Sequence, residues 1–151
     1  MTLPEKEKLI INFNRCDNWE EKYLYIIELG KKIPIISENL HIPENMIHGC
    51  HSQVWIKISP QPDNTILFEG DSDSVIVKGL IAIVFILFQN ITFSEIMIID
   101  VKYWFNKLSL MRHITPTRSK GIEEVVKSIR SNIKIYLNNL NDNKNNIEIL
   151  Y

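Results

Sequence analysis

The sequence predicts an α+β fold in which a small antiparallel sheet has helices packed against it. Three observations predict it. Val54, Ile56 and Ile58 alternate with Trp55 and Lys57, and a second short run from Thr65 to Glu69 follows the turn-forming stretch PQPDN, so the two runs pair as one hairpin. Apolar residues recur at helical spacing before the hairpin and again after it. Between them, Leu80 to Phe88 is apolar without a break, which suits a helix buried on all sides. Helices, then a hairpin, then helices is an α+β order and not a βαβ one.

Taken in order, Thr2 and Glu5 have capping-box spacing with Pro4 between them, and Leu9, Ile10 and Phe13 then mark a short amphipathic helix. Asp17 and Glu20 repeat the capping spacing. Trp19, Tyr23, Ile26, Ile27 and Gly30 carry a second helix that Pro34 ends. Residues 35–52 are irregular, with a third strand expected through Met46 and Ile47. Asp71, Ser72, Asp73 and Ser74 are N-cap candidates for the apolar helix from Val75 to Gln89, and Asp73 is assigned to that capping role. Thr92 and Glu95 cap a short helix, and Val101 to Leu108 forms another. The last long helix is expected from Ser119 to Leu140, with Ile122, Val126, Ile129, Ile133, Tyr136 and Leu140 as its buried stripe. Six of the nine residues from Asn138 to Asn146 are asparagine, so residues 1–140 are read as one domain and 141–151 as an Asn-rich, disordered tail.

The chain has 151 residues, 45% hydrophobic and 23% charged, the composition of one globular domain with a core of its own. Its net charge is −1 and its 17 Lys and Arg are spread along the chain, which argues against nucleic-acid binding. The longest apolar run is far shorter than the roughly 20 residues that span a bilayer. Two cysteines and no signal peptide lead to an expected cytoplasmic, reducing location.

One of those cysteines stands in the stretch HGCHSQVW, between His48 and His51. As a zinc site the stretch lacks a fourth ligand from a second segment. As a hydrolase nucleophile Cys50 lacks a helix N-terminus to lower its pKa, and His113 is a conceivable base that nothing local marks. A dithiol oxidoreductase would carry C-x-x-C, which is absent. A single-thiol carrier asks only for a nucleophile on a mobile loop, and Gly49 supplies backbone freedom beside it. A small buried cysteine remains equally compatible with the residues.

The stretch GCHSQVW resembles the G-C-x-S-x-V-W signature of the SufE family, the sulfur acceptors of bacterial iron–sulfur cluster assembly. NWEEKYLYIIELG (18–30), GDSDSVIVKGLIAIVFIL (70–87) and HITPTRSKGIE (113–123) are similar to the family's corresponding segments, so the resemblance runs from about Pro4 to Leu137. It implies the SufE/NifU (IscU-like) fold. It implies that Cys50 accepts persulfide sulfur from a pyridoxal-phosphate cysteine desulfurase of SufS type, stimulates its turnover and passes the sulfur to a SufBCD scaffold. The alternative is a module that activates the desulfurase allosterically and carries no sulfur. Arg118 matches the family's TPxRS motif and is implied to support the thiolate or the partner. His51 stands where the motif usually carries Gln, which argues against an obligatory base there, and Cys16 lies outside the signature. The resemblance implies a homodimer without cofactor or metal of its own, the pyridoxal phosphate belonging to the desulfurase. A loaded cysteine in a thiol-rich cytoplasm needs shelter, so Cys50 is expected to be shielded by Met46, Ile47, Val54, Trp55 and the helix from Val75, and to emerge on docking.

Overall fold

The computed structural model describes residues 2–35 and 37–150, with side chains described through residue 142. Helix α1 (Lys6–Arg15) starts after Glu5, whose side chain makes no capping bond, so the Thr2–Glu5 spacing is not a capping box. Leu9 and Phe13 bury its inner face. Helix α2 (Trp19–Lys31) is capped one residue later than predicted: Asn18 Oδ1 accepts from the backbone N–H of Glu21 at 2.9 Å, and Glu21 reaches back to the N–H of Asp17 at 2.8 Å. The cap is therefore built on Asn18 and Glu21, with the carboxylate stabilised by the helix N-terminus as well.

Strands β1 (Val54–Pro60) and β2 (Ile66–Ser72) form the expected antiparallel hairpin, in the register Ile56 opposite Gly70 and Lys57 opposite Glu69. Its inner face presents Val54, Ile56, Phe68 and Gly70. Phe68 stacks on Phe85, and Gly70 lets the Phe85 ring lie where a Cβ would come within 3.1 Å of it. The outer face carries Trp55, Lys57, Glu69 and Asp71, and the connector after α2 covers it. Glu69 is 1% exposed and accepts from the Ser37 N–H at 2.6 Å and from its hydroxyl at 2.8 Å. Lys57 Nζ donates to the same hydroxyl at 3.1 Å. His41 Nε2 lies 2.6 Å from Asp71 Oδ2, with its ring edge-on to Trp55. A buried carboxylate on a sheet face is costly unless hydrogen-bonded, and the connector supplies those bonds. The third strand reduces to one bridge, Met46 to Trp55, because the chain turns into the Cys50 loop after Ile47.

Helix α3 (Val75–Phe88) is the hub, capped by Ser74 rather than Asp73 and buried from Gly79 to Phe88. It packs on α2, β2 and the last helix, α6 (Pro116–Leu150). Its contact with α2 is glycine against glycine. A Cβ on Gly79 would overlap the Ile26 carbonyl oxygen, and one on Gly30 would stand 2.8 Å from the Gly79 nitrogen. Two helix backbones approach that closely only where neither carries a side chain.

Helices α4 (Phe93–Ile98) and α5 (Val101–Lys107) follow. Thr92 and Glu95 make the predicted capping box of α4, and Asp100 caps α5. Arg130 ties α4 down from α6: its Nε donates to the Ile96 carbonyl at 2.9 Å and its Nη2 to that of Ile99 at 2.5 Å. Helix α6 (Pro116–Leu150) begins three residues before the expected Ser119, with the Thr115 hydroxyl accepting from the Arg118 N–H at 3.2 Å and Pro116 in the first position. It is helical to Leu150, past the expected end at Leu140. Asn is a mediocre helix former, at a cost of at most about 0.7 kcal/mol per residue, and no Gly or Pro follows Leu140 to stop the helix. No helix among the described residues is long and apolar enough to cross a membrane.

Candidate functional site at Cys50

Cys50 lies in the loop 48–53, whose neck is closed on both sides. The Ile47 N–H donates to the Val54 carbonyl at 2.9 Å. Gln53 donates its N–H to Asp73 Oδ1 at 3.0 Å and accepts from the Asp73 N–H at 3.3 Å. Asp73 therefore anchors the loop and does not take the expected helix cap, which Ser74 supplies. Gly49 has φ +91°, a left-handed conformation that favours glycine, and a Cβ there would meet the Glu124 Cγ at 3.2 Å.

The half-buried Cys50 points inward to α6. Its thiol donates weakly to the Gly121 carbonyl at 3.7 Å, and Gly121 gives it room: a Cβ there would stand 3.3 Å from the sulfur. Around the thiol is a pocket of about 30 Å³ lined by Val54, Val77, Leu80, Ile122 and Val125 on its apolar side, and by His51, Thr117, Arg118 and Gly121. Of the apolar neighbours expected beside the cysteine, Val54 lines the pocket, and the helix from Val75 lies beneath as expected. Ile47 is buried in the core instead. Burial, and then the negative charge of Glu124, push the Cys50 thiol above its ordinary pKa.

Arg118 shares the pocket with Cys50, because the early start of α6 puts it in the first turn. His51 lines the rim, while His48 is exposed. His113 stacks on Trp19 at a centroid distance of 4.0 Å and does not line the pocket. Cys16 closes α1, donates to the Asn12 carbonyl at 3.4 Å and is a free thiol, as Cys50 is. Among the described residues no three His, Cys, Asp or Glu side chains converge as a metal site. The sequence did not single out Thr117, Gly121 and Glu124. Their spacing would have shown that they share a face of a helix beginning at Pro116.

Residues 7–133 match the family model of SufE, described as an Fe–S metabolism associated domain. The match spans Cys50, its anchor Asp73 and the α6 face that seats it. The chain belongs to the SufE family. Its architecture is also found in the solution structure of a hypothetical protein from Thermus thermophilus, with a TM-score of 0.72 over 91% of this chain and 99% of that one. At 13% identity that likeness establishes the α+β fold alone. Family membership associates the chain with iron–sulfur metabolism.

Proposed function

We propose that this protein accepts sulfur on Cys50 from the persulfide of a pyridoxal-phosphate cysteine desulfurase of SufS type, stimulating its turnover, and delivers it to a SufBCD-type scaffold for cluster assembly. The observation that carries the reading is a single thiol seated in a small apolar pocket at the tip of an anchored loop, in a SufE-family chain. The pocket has about 30 Å³ of free space beside the thiol and is lined mainly by aliphatic side chains. That is shelter of the scale a sulfur atom needs against cytoplasmic thiols.

The step is a thiol exchange. The Cys50 thiolate attacks the outer sulfur of the desulfurase persulfide and forms a new S–S bond. The bond from that sulfur to the desulfurase cysteine breaks, and the desulfurase thiolate leaves with the electron pair. One S–S bond replaces another, so no oxidant is consumed. The reading assigns no cofactor to this chain. In the inward position the thiol faces α6, so transfer requires the loop to swing out about Gly49, and the desulfurase must bind that outward form more tightly. Arg118, at the pocket wall, is assigned to support transfer, through the thiolate or through the partner. A homodimer is the assembly this reading adopts.

The test is stimulation of desulfurase turnover by variants. Cys50→Ser abolishes it and Cys16→Ser leaves it nearly intact. Full stimulation by Cys50→Ser would establish the rival reading, an activating module that carries no sulfur.

A further inference from the structure

Glu124 is a feature of the Cys50 site that sulfur transfer by itself does not require. Its side chain is the surface on which Gly49 rests, 3.2 Å from where a Gly49 Cβ would be, and one turn earlier Gly121 receives the thiol. The inward loop therefore sits on a single helical turn of α6 with a carboxylate at one end. We propose that Glu124 is a positioning residue that couples ionisation of Cys50 to the position of its loop.

The electrostatics around the thiol are sparse. The residues lining the pocket from β1 and α3 are Val54, Val77 and Leu80, all apolar. The titratable or charged groups facing it are Arg118 and Glu124 from α6 and His51 from the loop itself. Among the described residues Glu124 has one ion-pair partner, Lys127 at 3.7 Å, whose side chain is 76% exposed and so offsets little of its charge. Burial and the Glu124 carboxylate both disfavour a thiolate in the inward position. Once the loop swings out, both penalties fall away and the thiol ionises as an ordinary one. The coupling is reciprocal: whatever favours the thiolate favours the outward loop, and docking the loop inward restores the proton. Glu124 thus keeps the resting cysteine unreactive by charge as well as by cover.

The importance of this coupling rests on Cys50 being the sulfur acceptor, but its test does not. The experiment is the rate of Cys50 alkylation by iodoacetamide against pH, in Cys16→Ser protein without desulfurase. With Glu124 present, the midpoint lies above that of the denatured chain. Glu124→Gln moves it down, and Glu124→Asp, which keeps the charge, stays near the parent. A fall of one pH unit raises neutral-pH labelling about three- to fourfold, after allowing for the lower nucleophilicity of a more acidic thiol. Lys127→Gln, which removes an exposed ammonium that offsets little of the Glu124 charge, leaves the midpoint near the parent. A Glu124→Gln profile that superimposes on the parent overturns the proposal, as does a Glu124→Asp profile that falls as far as that of Glu124→Gln. Failure of Cys50 to take up sulfur would leave these profiles untouched, so the two readings fail separately.

Discussion

In the carrier role proposed for Cys50 two demands oppose each other: the thiol must be nucleophilic when docked and inert otherwise. Burial against Gly121 and the charge of Glu124 both raise its pKa, which fixes the sign of a pH dependence. A group whose folded pKa lies above its unfolded value contributes stability below the unfolded pKa and loses it as pH rises through the folded one. In Cys16→Ser protein, the unfolding free energy measured with urea therefore declines as pH rises past about 8.5. Cys50→Ala in the same background flattens that decline; an unchanged slope would show that the thiol does not titrate against the fold. Arg118 belongs to the same scale. Arg118→Ala keeps the melting temperature, because the N–H that caps α6 is backbone, and lowers the transfer rate about tenfold to a hundredfold, the range for losing one hydrogen bond to a charged group. Cys50 itself was legible from its flanking residues. Gly121 and Glu124 were not, because helical periodicity finds the apolar stripe of α6, and a small or charged residue on another face reads as solvent-facing.

Among the elements, the crossing of α2 and α3 is the least tolerant contact. A methyl group at Gly79 would be driven into the Ile26 carbonyl, which is backbone and cannot rotate away. Gly79→Ala is expected to cost about 3 kcal/mol or more in urea unfolding, the upper range for overpacking; a loss under about 1 kcal/mol would mean that the helices separate freely. Both glycines were visible in the sequence, but one-dimensional spacing does not reveal that Gly30 and Gly79 face each other across a crossing. The connector over the hairpin was equally hidden. Residues 35–52 read as irregular, yet Ser37 holds buried Glu69 and His41 meets Asp71. Burial works to raise the Asp71 pKa, but bonds from His41, the Ser72 backbone and Lys78 outweigh it, and the carboxyl sits below its ordinary range. Ser37→Ala removes one hydroxyl donor to Glu69 and should cost about 1–3 kcal/mol by the same urea measurement. The hairpin, α3 and the α4 cap were legible because alternation, an unbroken apolar run and the Thr92–Glu95 spacing are local signals. Helix ends were less so. Each depends on which of several adjacent polar residues wins the cap, as Asn18 does over Asp17 and Ser74 over Asp73.

Across the whole molecule, α3 organises everything else: α2, the hairpin and α6 all pack on it, and the Cys50 loop lies at the meeting point of β1, α3 and α6. The site is therefore built from segments far apart in the chain, with residues 50, 77 and 121 meeting around one thiol, which explains why Cys50, Val54, the helix from Val75 and Arg118 were readable but the rest of the α6 wall was not. Mass spectrometry tests most directly the proposal that Cys50 is the sulfur acceptor. The protein is incubated briefly with a cysteine desulfurase and free cysteine, alkylated and digested. One added sulfur atom is expected on the peptide containing Cys50, removable by a reductant, and none on the peptide containing Cys16. Sulfur on Cys16 alone, or on neither peptide while desulfurase turnover still rises, would contradict it.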